Sequence, residues 1–346
     1  MFIYRCAEIA QMPLYFLLNN IAGRLRTALE PNKFGNYPSA TLEILRRCVL
    51  ACLTPFALIG TAAGSVAAVA LNFFADRAMG NQPYICIPGA YTGDKSNTFA
   101  TFNMSTLLPN MTLNDGFDNS YARLEGIAEK LHDFHFVCGQ EVDGDSARFL
   151  AKILQNNFSE FYTYFGKSNT PFLQSGLFFA CKEKALSVQA VPFTAKGVQT
   201  AIRRLLVIVE LAEFYVAFTH LDGVLNDPIH LQEVIQIKEA LVKLKKPYLL
   251  CGDLNEDRQD NTAAYQALTE TFIDPLALRQ EPVITCTDAY KLRRFDEKSV
   301  PTKLSIDYML YPKIGPLALN FKDSVCHSAL SDHSLLHGEY RLISSL

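Results

Sequence analysis

The chain has no tryptophan, no Cys-X-X-Cys pair, no surplus of positive charge and no low-complexity tract. Each absence removes a class of protein. Without a Cys-X-X-Cys pair no zinc-binding spacing is present. The nine cysteines (Cys6, Cys48, Cys52, Cys86, Cys138, Cys181, Cys251, Cys286 and Cys326) are odd in number and scattered, which predicts buried free thiols in a reducing compartment. With 32 basic against 35 acidic residues the net charge is −3. No broad basic field is there to hold a polyanion, so nucleic acid is disfavoured as a partner. No basic stretch precedes the first apolar run and the longest run lies deep in the chain, so a cleaved signal peptide is not expected. No internal repeat is visible.

What the chain does have is apolar length near its start. Residues 48–75 carry no charge and are rich in Ala, Leu, Val and Phe. As one straight helix they would span about 42 Å, beyond the roughly 30 Å hydrocarbon core of a bilayer. Pro55, Gly60 and Gly64 permit a kink or a re-entrant turn instead. Arg5, Arg24, Arg26, Lys33, Arg46 and Arg47 precede the run, which puts the amino terminus on the cytosolic side. The run is too short for two crossings of about 20 residues each. A re-entrant hairpin is therefore expected, with the following domain on the cytosolic face and Cys48 and Cys52 as candidate palmitoylation sites. A shorter stretch, residues 12–21, is broken by Asn19 and Asn20 and reads as interfacial. The expected division is a hydrophobic membrane-associated helical region over 1–80, a Pro-, Gly-, Ser- and Asn-containing linker over 81–97, and a catalytic domain over 98–346.

Past the linker the pattern turns regular. Apolar and β-branched runs predict strands over 98–104, 134–138, 176–180, 205–211, 215–219, 248–251, 305–310 and 335–342. Helical spacing, such as Leu124, Ile127, Ala128 and Leu131, predicts helices over 121–133, 146–155 and 230–244. Mixed strands and helices with apolar faces imply an α/β fold of two packed sheets covered outside by helices.

Polar clusters sit at the tips of these strands: Asn103, Gln140-Glu141, Thr219-His220, Asp253-Leu254-Asn255, Asp307 and Asp332-His333. Taken singly, a Gln-Glu pair is ordinarily a surface feature and Gly-Asp-Leu-Asn a cap or turn. The ordered set describes a hard-cation site for hydrolysing a phosphate ester. Glu141 offers a hard carboxylate and Asn103 a neutral carbonyl oxygen, which suit Mg²⁺, an ion that keeps several waters. Asp253 and Asn255 flank Leu254, so both face one side and address one phosphate. His220 is placed to hold a phosphoryl oxygen as an imidazolium. His333 is the choice for general base, because imidazole titrates near neutrality; Asp307 is the candidate to orient its ring. Asp332 would orient Asn103 or the metal shell.

In this order the motifs resemble the Mg²⁺-dependent endonuclease/exonuclease/phosphatase superfamily over about residues 98–343. Phe99-Ala100-Thr101-Phe102-Asn103, Cys138-Gly139-Gln140-Glu141-Val142, Gln174-Ser175-Gly176-Leu177-Phe178 and Lys196-Gly197 are similar to neutral sphingomyelinases. The apolar amino-terminal part with its Leu-Thr-Pro-Phe step looks like their membrane-anchored second type. The resemblance implies a four-layered α/β sandwich, Mg²⁺ (or Mn²⁺) at Glu141 and Asn103, and hydrolysis of sphingomyelin to ceramide and phosphocholine at a membrane surface. It implies water activation by His333, phosphate contacts from His220 and Asn255, and substrate binding by Lys196. The partners implied are a phospholipid or sphingolipid substrate and the bilayer itself. The chain departs from the superfamily pattern at Gly139, where Leu is usual, and at His135, where Asp is usual. The competing expectation is a membrane-tethered phosphoinositide phosphatase, a nuclease or another phosphodiesterase on the same scaffold. The absence of tryptophan and the Glu256-Asp257 pair after Asn255 count against an inositol-polyphosphate phosphatase. A scaffold that kept the fold without the activity is the non-enzymatic alternative, and intact ligand-capable residues at every motif argue against it.

Overall fold

The computed structural model describes residues 84–342 except 95, 107–120, 143, 164, 166–175, 196–203, 288–302, 321–324 and 327–329, together with isolated positions between 52 and 70. In chain order its elements are β1 (Ile85–Pro88), β2 (Thr98–Asn103), α1 (Tyr121–Leu131), β3 (Phe136–Gln140), α2 (Gly144–Ile153), β4 (Glu160–Thr163), β5 (Phe178–Cys181), β6 (Ser187–Pro192), β7 (Leu205–Glu210), β8 (Tyr215–His220), α3 (Ile229–Leu241), β9 (Tyr248–Asp253), α4 (Ala263–Thr271), β10 (Phe272–Ile273), β11 (Cys286–Thr287), β12 (Lys303–Leu304), β13 (Asp307–Pro312), β14 (Leu317–Asn320), β15 (Val325–Cys326) and β16 (Leu335–Leu342). All of these lie in one of two compact units, comprising Pro83–Leu107, Asp115–Ser168 and Leu173–Leu346.

Strand residues alternate between two cores, as the period of two requires. In β7, Leu205, Val207 and Val209 enter one apolar cluster while Leu206 and Ile208 enter another. In β3, Phe136 and Cys138 join the first cluster and Val137 joins a third. Both faces of these strands are buried, so they read as continuous apolar runs. The shared cluster lies between two sheets. One runs β1-β4-β5-β3-β2-β16-β14, with β15 also on β16, and the other runs β10-β13-β9-β8-β7-β6. The remaining clusters pack α1 and α2 on the first sheet and α3 and α4 on the second. The architecture is two packed mixed sheets flanked by helices. Aromatic rings dominate the middle: Phe136 stacks on Phe99 at 5.1 Å and lies within 6.1 Å of Phe179, Phe214 and Tyr340. Truncating such a ring typically costs about 3–5 kcal/mol.

Each sheet holds one parallel pair, β2 with β3 and β8 with β9. α1 crosses between the first pair and α3 between the second. The carboxyl ends of parallel strands in βαβ units are where open sheets place ligands. Those ends carry Asn103 and Gln140 in one sheet, and His220 and Asp253 in the other.

Several boundaries differ from the sequence expectation. The 81–97 segment contributes β1, an edge strand antiparallel to β4, which is too short to show alternation against its Pro and Gly neighbours. β4, β6, α4 and β14 were also not expected; β6 is only partly buried along its length, so its apolar pattern is faint. α3 ends at Leu241 rather than 244, and Ile235, expected on its apolar face, is exposed while His230 and Glu233 are buried.

The expected membrane segment, the interfacial stretch 12–21 and the remainder of 1–51 lie largely outside the described residues. Described positions between 52 and 70 are helical, and Phe56, Ile59 and Val66 are exposed. Among the described residues no helix is long and apolar enough to cross a membrane.

Candidate active site

Strand register builds the site from the second sheet. His220 pairs with Asp253 across β8 and β9, and Asp253 pairs with Asp307 across β9 and β13. Three chemistry-bearing residues thus stand in one row at the sheet's end. Gly252 makes the row possible. Its φ is +142°, and an added Cβ would lie 2.0 Å from the Thr219 carbonyl oxygen, so only glycine lets β8 and β9 close at that point.

The loop after Leu330 brings His333 onto this row. Its Nδ1 is 2.9 Å from Asp307 Oδ2 and 3.1 Å from Oδ1, and its Nε2 is 3.7 Å from Asp253 Oδ2. Burial works against a charged ring here, but Asp307, Cys286 and Asp253 raise His333 well above the ordinary imidazole value. Asp307 is held in turn by its own strand: its N–H donates to Thr285 Oγ1, and its carbonyl accepts from Arg258 at 2.7 Å.

The first sheet supplies Asn103 and Glu141. Asn103 Nδ2 donates to Asp253 Oδ2 at 2.9 Å, and its Oδ1 accepts from the Ser105 backbone N–H at 3.0 Å. That N–H can only donate, which fixes the amide's orientation. Asn103 therefore ties the two sheets together at the site, with one further lone pair on its oxygen. Glu141 follows β3 directly with φ +53°, and Ser105 and Asn255 also have positive φ, +49° each. Non-glycine residues in this region are uncommon and cluster where surrounding contacts hold them. Here the Glu141 carbonyl accepts from both the N–H and the hydroxyl of Thr106. Gly139 has a packing reason: a Cβ there would lie 2.9 Å from Met104 Cε and 3.1 Å from the Phe178 side chain. The buried Met104 fills that space.

Electrostatically the site is short of positive charge. Burial, then Asp332, raises Glu141, against His333, Asn103 and Arg204. Burial pushes Asp253 up to about 6, with His333 opposing and Asp307 adding. Asp253, Asp307 and His333 offer ligand atoms within 4.8 Å of one another. With Asp307 engaged by His333, the oxygens of Asp253, of Glu141 and of the Asn103 amide beside both form a hard donor set that fits a divalent cation of the Mg²⁺ class. His220 also has a buried Nδ1 with no hydrogen-bond partner among the described residues.

Other expected residues are placed as follows. Asn255 N–H donates to Asp253 Oδ1 at 3.0 Å. Asp332 lies beside His333, and the Ser331 hydroxyl next to it donates to the Asn103 carbonyl at 2.7 Å. His220 Nε2 is 3.5 Å from Asp253 Oδ2. Burial, with Arg204, His333 and His230, holds His220 well below the ordinary value, so its ring is neutral rather than an imidazolium. Lys196 lies outside the described residues.

Three groups were not foreseen. Arg204, one residue before β7, is buried, and burial lowers it from the ordinary guanidinium value against Glu141, Asp253, Asp222 and Glu233, which favour its charge. It is the guanidinium of this site, and the sequence signalled it only as a basic residue against an apolar strand. Arg123, in the first turn of α1, donates to the carbonyls of Met104 and Leu330 at 2.8 and 2.7 Å and to that of Ser105 at 3.2 Å. Behind Asn255, the Glu256 carboxylate lies 2.5 Å from His230 Nδ1 and accepts from the Thr262 hydroxyl.

The sequence matches the Endonuclease/Exonuclease/phosphatase family over residues 100–333. The chain belongs to that family. Among solved structures it is similar to sphingomyelinase C from Streptomyces griseocarneus, at 17% identity and TM-score 0.53, covering 71% of this chain and 99% of that one. It is also similar to the mannosyl-6-phosphatase Bt3783 of Bacteroides thetaiotaomicron, at 14% identity and TM-score 0.51, over 71% and 100% of the two chains. D. rerio TDP2, solved with a single-strand DNA product, matches at 14% identity and TM-score 0.54, over 72% and 100%. These likenesses carry the fold. No curated protein matches this chain.

Proposed function

We propose that this family member is a divalent-metal-dependent phosphodiesterase that hydrolyses sphingomyelin to ceramide and phosphocholine at a membrane surface. The observation that carries hydrolysis is the Asp307–His333 pair, whose Nε2 lies 3.7 Å from the buried Asp253 carboxylate that Asn103 links to the other sheet. The choice of sphingomyelin is supported by the strand-tip motifs shared with neutral sphingomyelinases and by the fold shared with a sphingomyelinase C. A bilayer as the setting is supported by the charge-free run 48–75 and by its exposed Phe56, Ile59 and Val66.

Glu141, with Asn103 and Asp253 beside it, would hold the cation. When bound, Mg²⁺ or Mn²⁺ there offsets the negative charge growing on the phosphate and by repulsion favours the neutral form of His333. The neutral His333 accepts a proton from water through Nε2, while Asp307 on Nδ1 stabilises the imidazolium that forms. The water oxygen bonds to phosphorus as the bond to the lipid oxygen breaks. The departing alkoxide takes a proton from solvent to give the ceramide hydroxyl, and His333 returns to solvent the proton it accepted. Arg204 is the cation for the non-bridging phosphate oxygens, and neutral His220 and Asn255 donate N–H groups to them.

The test is incubation of the full chain with labelled sphingomyelin, phosphatidylcholine, a phosphoinositide and DNA, with and without Mg²⁺. Mg²⁺-dependent release of phosphocholine from sphingomyelin, faster than any other turnover, is expected. Faster phosphate release from the phosphoinositide, or cleavage of DNA, would replace the substrate with that one.

A further inference from the structure

At the far end of β3 from Glu141, three side chains converge that hydrolysis does not use. His135 immediately precedes β3, Cys181 closes β5, and Glu183 follows two residues on. One nitrogen, the thiol sulfur and one carboxylate oxygen lie within 4.8 Å of one another. The His135 and Glu183 side chains are 1% and 9% exposed, and Cys181 is fully buried. The backbone brings them together. His135 N–H donates to the Thr98 carbonyl and Lys182 N–H to the His135 carbonyl, each at 2.8 Å, next to the Phe136–Cys181 pair of β3 and β5. Glu183 N–H donates to Cys181 Sγ at 3.4 Å.

The spacing suits a cation better than simple pairing. His135 Nδ1 is 2.7 Å from the Tyr340 hydroxyl, which orients the ring, and Nε2 then faces Glu183 Oε1 at 3.5 Å. That is long for a charge-assisted N–H···O bond. It is close to the roughly 3.4 Å edge of a tetrahedron whose metal–ligand bonds are about 2.0–2.1 Å. A histidine held through its other nitrogen by an oxygen is the usual support for a bound metal. One imidazole, one thiolate and one carboxylate form a borderline-soft donor set that suits Zn²⁺ and does not suit Mg²⁺. Their two negative charges cancel the ion's charge, so the loaded site brings no net charge into the interior.

We propose that His135, Cys181 and Glu183 form a three-ligand Zn²⁺ site, completed by water, that joins the far ends of β3 and β5 and is separate from the hydrolytic centre. Binding replaces the Cys181 S–H bond with an S–Zn bond, and the thiol proton passes to solvent. No sequence spacing signals the site, because His135 and Cys181 are 46 positions apart and meet only through sheet pairing.

The experiment uses the full chain, stripped with a chelator and titrated with Co²⁺, which reports thiolate ligation through a near-ultraviolet sulfur-to-cobalt absorption band. One equivalent should produce the band, Zn²⁺ should abolish it, and Zn²⁺ should raise the Tm. Cys181→Ser should lose the band. Cys286→Ser should keep it, which separates this site from the thiol beside His333. Glu183→Gln, near the surface and close in shape, should weaken Co²⁺ binding more than about tenfold, and it decides the question if the buried Cys181→Ser does not fold. No band in the folded wild-type chain would overturn the site. So would a band that survives Cys181→Ser, disappears in Cys286→Ser, or keeps its affinity in Glu183→Gln.

Discussion

At the scale of single residues, the proposed function rests on one bidentate contact, His333 Nδ1 against both oxygens of Asp307. A carboxylate so placed fixes the tautomer and leaves Nε2 for the water. His333→Ala removes the proton acceptor, so kcat for phosphocholine release should fall about 10²–10⁴-fold. Asp307→Asn keeps the base but loses its charge partner, and its fall should be smaller. Steady-state rates on variants with a wild-type Tm check the ordering; a His333→Ala enzyme with wild-type kcat would remove His333 from the mechanism. The pairing was legible in the sequence because both residues border apolar runs, Asp307 opening β13 and His333 standing two residues before β16. The neutrality of His220 was not, since it follows from burial beside Arg204, His333 and His230, which are distant in sequence.

At the scale of elements, strand ends hold the candidate catalytic groups, and Arg123 of helix α1 bonds the backbone beside two of them. Arg123 reaches the carbonyl of Leu330, 207 residues away, and those of Met104 and Ser105 beside β2. Charged donors to buried carbonyls are worth about 1.5–3 kcal/mol each, and leaving acceptors unsatisfied adds to the loss. Arg123→Ala should therefore lower the Tm by several degrees and kcat together, because the loops bearing Asn103 and His333 lose their common support. A variant with unchanged Tm and unchanged kcat would show that the clamp carries no weight. Elements buried on both faces, such as β7 and β9, were readable from their uninterrupted apolar runs. β1, β6, α4 and β14 were not, being short, partly exposed or framed by turn residues. Arg123 gave no signal, because its partners are backbone carbonyls that only the folded chain brings near.

At the scale of the whole molecule, two sheets each bring one parallel pair to a common end, and no single segment contains the site. The residue types and their order were enough to expect two packed mixed sheets flanked by helices, and the strand register brings Asn103, His220, Asp253 and Asp307 to one end of them. The shortage of positive charge that fits a cation emerges only when Glu141, Asp253, Asp307 and Asp332 lie together. The central claim is that a water activated by His333 attacks phosphorus and the lipid alcohol leaves. Turnover of sphingomyelin by the full chain with Mg²⁺ in ¹⁸O-labelled water, read by mass spectrometry of both products, tests it directly. One labelled oxygen in phosphocholine and none in ceramide is the predicted result; label in the ceramide hydroxyl, or label-free phosphocholine, would contradict it.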